Sequence, residues 1–246
     1  MNLRGTGRKN SERMSDLHLA LLPGLDGTGK LFQPFIEQFE NSNDVTVIPY
    51  PTDTHIPYDA LVDYIIPLLP TGKPLVILGE SYSGPIAIRL ATCADLNIHG
   101  LVLVATFAKY PASTLGLASR FLPLSLLFRM PVPGILIRRY CFGEHTSEQL
   151  ARQLLEAVKD NRPDVLAKRA HEGAAVDVTP LLPDIHIPCL YLSASGDRLV
   201  PKRALEVIQT GISDIEVAEI KGPHFILQVQ SKSCFDRITR FMERIG

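Results

Sequence analysis

The chain has 246 residues, 46% of them hydrophobic, and a formal net charge of −1. That is enough apolar material for one large core, and the near-neutral balance gives no electrostatic basis for binding nucleic acid or an anionic membrane. The longest apolar stretches are too short, or too interrupted by proline, to be stably inserted across a bilayer.

Residues 1–15 are polar and basic and lack periodicity, so they are expected to form a disordered tail. No charged-then-apolar segment with a small-residue cleavage site opens the chain, and the expected location is cytoplasmic. From His18 onward, apolar runs and amphipathic stretches alternate. They predict a strand over 18–22, a helix over 31–39, a strand over 45–49, a helix over 58–69, a strand over 75–78, a helix over 85–95 and a strand over 100–105. Such alternation demands right-handed crossovers and a parallel sheet covered on both faces. The pattern breaks from Ala108 to Asp177, where four helical segments are expected, centred on 114–128, 133–141, 146–160 and 162–173. Strands resume at 189–193 and 215–220, with helices over 202–210 and 232–244. Cys93, Cys141, Cys189 and Cys234 lie far apart, mostly in apolar segments, and read as free thiols rather than a disulfide frame or zinc site.

Four segments carry chemistry. In Leu75–Gly84, four apolar β-formers run into a small-residue turn bearing Ser81, and a helix follows with Pro85 in its first turn. The pattern Gly79-Glu80-Ser81-Tyr82-Ser83-Gly84 suits a sharp elbow that lifts the serine hydroxyl out of the sheet edge. Serine is also a common helix cap, so the elbow alone divides evenly between nucleophile and cap. The fifth position, commonly glycine in such elbows, is Ser83, and the glycine follows one place later. Next to the first strand, Pro23-Gly24-Leu25-Asp26-Gly27-Thr28-Gly29 is a loop whose backbone N–H groups could face a ligand. The N–H groups of Leu25 and Tyr82 are the expected oxyanion donors. It is not a phosphate loop, because no Lys-Ser or Lys-Thr follows at the required spacing.

Asp197 and His224 each follow a predicted strand, in Gly196-Asp197-Arg198-Leu199-Val200-Pro201 and Gly222-Pro223-His224-Phe225. Either residue alone more often serves a turn or a surface. The order Ser, Asp, His, each just past a strand on one sheet edge, is the arrangement expected of a nucleophile, an orienting acid and a general base.

On these motifs the chain resembles an α/β-hydrolase from about Asp16 to Gly246. The resemblance implies a mostly parallel sheet of about six strands, since too little chain precedes His18 for the full eight. It also implies a core of 16–107 and 178–246 with a helical cap over 108–177. The implied activity is carboxylic ester hydrolysis through an acyl-enzyme, with Ser81, Asp197 and His224 catalytic and no cofactor or metal. Gly24, Leu25, Tyr82, Phe121, Phe128 and Phe225 are expected against the substrate, whose acyl group would be apolar and short to medium in length. Glu80 is expected to make a structural contact rather than act as the acid. A thioesterase on carrier-bound chains and an acyltransferase share the same residues and stay open. So do a binding protein with little turnover and cofactor-free chemistry such as C–C bond hydrolysis.

Overall fold

The computed structural model describes residues 16–40, 44–111, 141–142 and 148–246. Six strands form one sheet: β1 (His18–Leu22), β2 (Val45–Val47), β3 (Leu75–Glu80), β4 (Ile98–Val104), β5 (Cys189–Ala194) and β6 (Ile215–Ile220). Their order is β2-β1-β3-β4-β5-β6, and every neighbouring pair is parallel. β1, β3 and most of β4 are buried throughout, as strands covered on both faces must be.

Side chains alternate between two cores with the strand period of two. Ala20, Leu22, Ile77, Leu101, Leu103 and Tyr191 face one side, packed on helices α2 (Tyr58–Ile65) and α3 (Gly84–Ala91). Leu19, Leu21, Val76, Leu78, Val102 and Leu192 face the other. That side is covered by Phe32, by Phe35 of α1 (Gln33–Ile36), and by Cys234, Ile238 and Phe241 of α8 (Ser231–Ile245). Between α3 and α8 the described helices are α4 (Glu148–Lys159), α5 (Pro163–Ala175), α6 (Lys202–Gly211) and the single turn α7 (Ile226–Val229).

Several boundaries differ from the periodicity. The helix expected over 31–39 is a tight turn at Lys30–Phe32 followed by the four-residue α1, with Pro34 in its first turn. β2 stops at Val47 because Pro49 and Pro51 cannot donate to a ladder, and Tyr50 N–H turns instead to the Gly27 carbonyl at 2.7 Å. α3 ends at Ala91, short of residue 95, where the Thr92 hydroxyl bonds back to the Arg89 carbonyl. The helical turns Thr179–Asp184 and α7 were not legible as separate elements.

Between β4 and β5 the two ends of the insertion meet where the Val178 N–H donates to the Ala108 carbonyl at 3.0 Å. A bridge pairs Lys109 with Asp177 beside this crossing. Of the four helices expected between them, α4 and α5 are described; the segments at 114–128 and most of 133–141 lie outside the described residues.

Candidate active site

Because all six strands run the same way, their carboxyl ends share one edge, and the site is built there. β3 ends at Glu80, and Ser81 turns the chain with φ +50°, a left-handed conformation that strains any residue with a Cβ. Neighbours hold the strained turn in place. Thr106, just past β4, donates its hydroxyl to the Ser81 carbonyl, and the Tyr58 hydroxyl donates to the Tyr82 carbonyl.

The displaced glycine of the elbow has a steric reason. A Cβ on Gly84 would lie 1.9 Å from Thr106 Oγ1, so α3 can reach the sheet only with glycine at that position. Ser83, where glycine was the common choice, is fully buried and tied twice. Its hydroxyl donates to the Pro23 carbonyl, so the Tyr50 hydroxyl, 2.6 Å away, must donate to Ser83 Oγ. The departure from the usual elbow is thus a polar strut joining the elbow to the glycine-rich loop.

His224 and Asp197 sit on loops after β6 and β5. His224 Nδ1 lies 2.8 Å from Asp197 Oδ2, and Nε2 lies 2.9 Å from Ser81 Oγ. An ionised carboxylate only accepts, so Nδ1 carries the proton and the Nε2 lone pair faces the serine hydroxyl. Asp197 Oδ1 accepts the N–H groups of Leu199 and Val200, each at 2.8 Å, which fixes the carboxylate from the other side. His224 is only 3% exposed, and its edge rests on the Phe225 ring. A base held this way can take a proton from Ser81 as its oxygen attacks and return it to a leaving group.

The glycine-rich loop lies beside Ser81: a Cβ on Gly24 would sit 4.0 Å from Ser81 Cβ. Gly27 N–H donates to the Gly24 carbonyl at 3.0 Å, closing a turn over Gly24-Leu25-Asp26-Gly27. Asp26 Oδ1 accepts from the Thr28 N–H at 2.9 Å and from the Thr28 hydroxyl. The Leu25 N–H lies within this turn, and the Tyr82 N–H lies in the helical turn Ser81–Ser83, directly after Ser81.

Of the residues expected against the substrate, Gly24 and Leu25 lie in this loop. The Tyr82 side chain is buried between Tyr50 and Tyr58, its hydroxyl without a partner among the described residues. Phe225 stacks on Phe142 within an apolar cluster that includes Leu31, Leu150 and Leu154. Phe121 and Phe128 lie outside the described residues.

Glu80 is buried beneath the elbow, its Oε1 accepting from Gln228 Nε2 at 3.0 Å. Burial pushes its carboxyl up to about 7; the Gln228 bond and nearby His224 oppose the rise, and Asp26 adds to it. Burial likewise raises the thiols of Cys189 and Cys234 to about 12, and all four cysteines are unpaired. Among the described residues, no cluster of three His, Cys, Asp or Glu could hold a metal ion, and no helix is long and apolar enough to cross a membrane.

Arg169 and Asn161 were missed by sequence reasoning. Both are buried, and both bond to the glycine-rich loop. The available signal was positional. Arg169 falls four residues after Val165 and four before Gly173, on the stripe that α5 buries.

The alpha/beta hydrolase family model matches residues 5–229, and the chain belongs to that family. No curated protein sequence matches it significantly. Among solved structures it is similar to an esterase from Exiguobacterium antarcticum, with 14% identity, 92% of each chain covered and a TM-score of 0.78. It is also similar to an enol-lactonase from Burkholderia xenovorans LB400, with 18% identity, 91% of this chain and 90% of that one covered, and a TM-score of 0.69. A third is MenH from S. aureus, with 18% identity, 93% of this chain and 94% of that one covered, and a TM-score of 0.68. At these identities the likeness is one of fold, and the differing names leave the reaction to be argued from the site.

Proposed function

We propose that the protein is a serine hydrolase that cleaves carboxylic esters of apolar, short-to-medium acyl groups through an acyl-enzyme. The observation that carries this reading is the hydrogen-bonded chain from Asp197 through His224 to Ser81, at 2.8 and 2.9 Å. His224 takes the hydroxyl proton as Ser81 Oγ attacks the ester carbonyl, and the tetrahedral oxyanion is held by the Leu25 and Tyr82 N–H groups. The C–O bond to the alcohol then breaks, and His224 protonates the departing oxygen. Water enters, His224 takes its proton as the water oxygen attacks the acyl carbon, the acyl–Oγ bond breaks, and His224 returns the proton to Ser81 Oγ as the acid leaves. Asp197 stays ionised and stabilises the imidazolium throughout. Each oxyanion donor contributes about 3 kcal/mol to the barrier reduction.

The apolar cluster next to His224, with Phe225, Phe142 and Leu31, supports an apolar acyl group. The test is kcat/KM over matched p-nitrophenyl esters from two to eight carbons, with the matching thioesters in parallel. Each methylene buried in the site should raise kcat/KM about fourfold, from about 0.8 kcal/mol of transfer energy. A flat or falling ester series would remove the acyl preference, and thioesters turned over faster than every ester would move the reading to a thioesterase.

A further inference from the structure

The glycine-rich loop is clamped from outside the sheet by one buried guanidinium. Arg169 is 3% exposed, on α5. Its Nη1 donates to the carbonyls of Leu25 at 3.1 Å and Asp26 at 2.9 Å and to Asn161 Oδ1 at 3.2 Å, and its Nη2 donates to the Pro51 carbonyl at 2.7 Å. Asn161 Nδ2 donates to the same Asp26 carbonyl at 2.8 Å and anchors to the Ala157 carbonyl of α4 at 2.8 Å. The guanidinium also lies 5.7 Å from the centroid of the Tyr50 ring, and the Tyr50 hydroxyl bonds to Ser83 in the elbow.

None of these acceptors is a carboxylate. Burying a full positive charge on carbonyl oxygens is costly, and a structural helix could dock through apolar residues at lower cost. What the expensive arrangement supplies is direction. Carbonyls of Leu25, Asp26 and Pro51 are turned toward one rigid planar donor, which prevents the loop's peptide planes from rotating. The fit is tight on the loop side too: Gly27 sits at φ +71°, and a Cβ there would lie 2.5 Å from Arg169 Nη1. The Gly24 carbonyl is held by Gly27 N–H, and the carbonyl of Leu25 by Arg169, so the Leu25 N–H between them has one orientation.

We propose that Arg169, braced by Asn161, is the positioning residue of the oxyanion hole: through the carbonyls of Leu25 and Asp26 it aims the Leu25 N–H at the carbonyl oxygen of the acyl substrate. This rests on the reading of the site as an acyl-transferring serine hydrolase. It also joins α4 and α5, in the insertion between β4 and β5, directly to the catalytic apparatus. Displacement of those helices would disarm the oxyanion hole without touching Ser81, His224 or Asp197.

The experiment compares wild type with Arg169→Met, which keeps the stem and removes every donor, and with Arg169→Lys. Active sites are counted by end-point fluorophosphonate labelling, and kcat and KM are measured per labelled site. Inhibition by an alkyl trifluoromethyl ketone, which forms a tetrahedral oxyanion on serine, and backbone hydrogen exchange over residues 24–28 complete the set. Arg169→Met should lose about 100-fold to 1,000-fold in kcat per site, the range for removal of one oxyanion donor, with KM within threefold. The ketone Ki should rise in parallel, and exchange should quicken over 24–28 but not over 79–84. Arg169→Lys should recover part of the loss, since an ammonium can still donate to clustered carbonyls. A purely structural role would lower the labelled fraction and the Tm while leaving kcat per site and the ketone Ki unchanged, and that outcome would overturn the proposal.

If Arg169→Met does not fold, Asn161→Ala carries the same test, with a smaller parallel loss in kcat and ketone affinity expected and no change in either contradicting the proposal. A wild type that neither labels nor turns over esters would defeat the functional reading. In that case, faster exchange over 24–28 in the variants would still support the clamp, and unchanged exchange would overturn it as well.

Discussion

The two edges of the sheet hold polar groups on different terms. At the amino edge, around the starts of β4, β5 and β6, the groove is lined by exposed His99 and His186 and by Glu216, whose bond to Arg244 at 2.7 Å is open to solvent. At the carboxyl edge, Asp26, Glu80, Ser83, Asn161, Arg169 and His224 are all buried in one region around the elbow and the glycine-rich loop. The strained Ser81 lies in the middle of it, and Ala105, at φ +45°, stands beside Thr106. Water solvates the first edge and forgives its geometry. The second packs its polar groups inside the protein, where bonds such as His224–Asp197 and Glu80–Gln228 hold them in fixed geometry. Strain and buried charge therefore concentrate at the edge that carries Ser81 and His224, and the opposite edge holds its polar groups in solvent.

The sharpest way to break this comparison is to remove the base. His224→Ala should lower kcat by about four orders of magnitude or more, by analogy with other triads, while leaving the far-ultraviolet circular dichroism unchanged. Steady-state kinetics on a p-nitrophenyl ester measures it, and a loss under tenfold would contradict the role assigned to His224.

Gly84→Ala comes next. The added methyl would collide with Thr106, which itself holds the Ser81 carbonyl, so the elbow must move. A loss of about 3 kcal/mol or more in unfolding free energy is expected, at the upper end for overpacking a tight site. Urea denaturation provides the value, and a change below about 1 kcal/mol would mean the helix-to-sheet distance is adjustable.

Glu80 gives the edge a pH signature. Burial raises its folded-state pKa to about 7, above the ordinary carboxylate value that it returns to on unfolding. Between those two values the folded protein binds the proton and the unfolded chain does not, so stability falls as pH rises from about 4.5 toward 7. The full effect is roughly 3 kcal/mol at 1.36 kcal/mol per unit. Glu80→Gln should abolish this slope and stabilise the protein at pH 8; an unaltered slope in urea titrations from pH 5 to 8 would contradict it. At the amino edge, by contrast, Arg244→Ala should cost less than about 1 kcal/mol, because its ion pair is exposed.

Most of the sheet was legible because a buried parallel strand is written locally. Runs such as Leu75-Val76-Ile77-Leu78 need no partner to be recognised. That Ser81, Asp197 and His224 would meet was legible for a related reason: each stands just past a strand, and a parallel sheet brings strand ends to one edge. What was not legible depends on residues far apart in sequence. Ser83 read only as a departure from the usual elbow until Pro23 and Tyr50 were beside it, and what Gly84 packs against, Thr106, lies outside its own segment. Arg169 was hidden because its partners, Leu25 and Asp26, lie 144 and 143 residues away, and nothing in α5 reports on them. The short α1 and the early end of β2 turned on prolines whose effect a periodicity count averages away.

The reaction proposed for this site requires Ser81 to be an activated nucleophile. Intact mass after fluorophosphonate treatment tests it most directly, comparing wild type with Ser81→Ala. One adduct is expected on wild type and none on the variant. No adduct on folded wild type, or an adduct that survives Ser81→Ala, would contradict it.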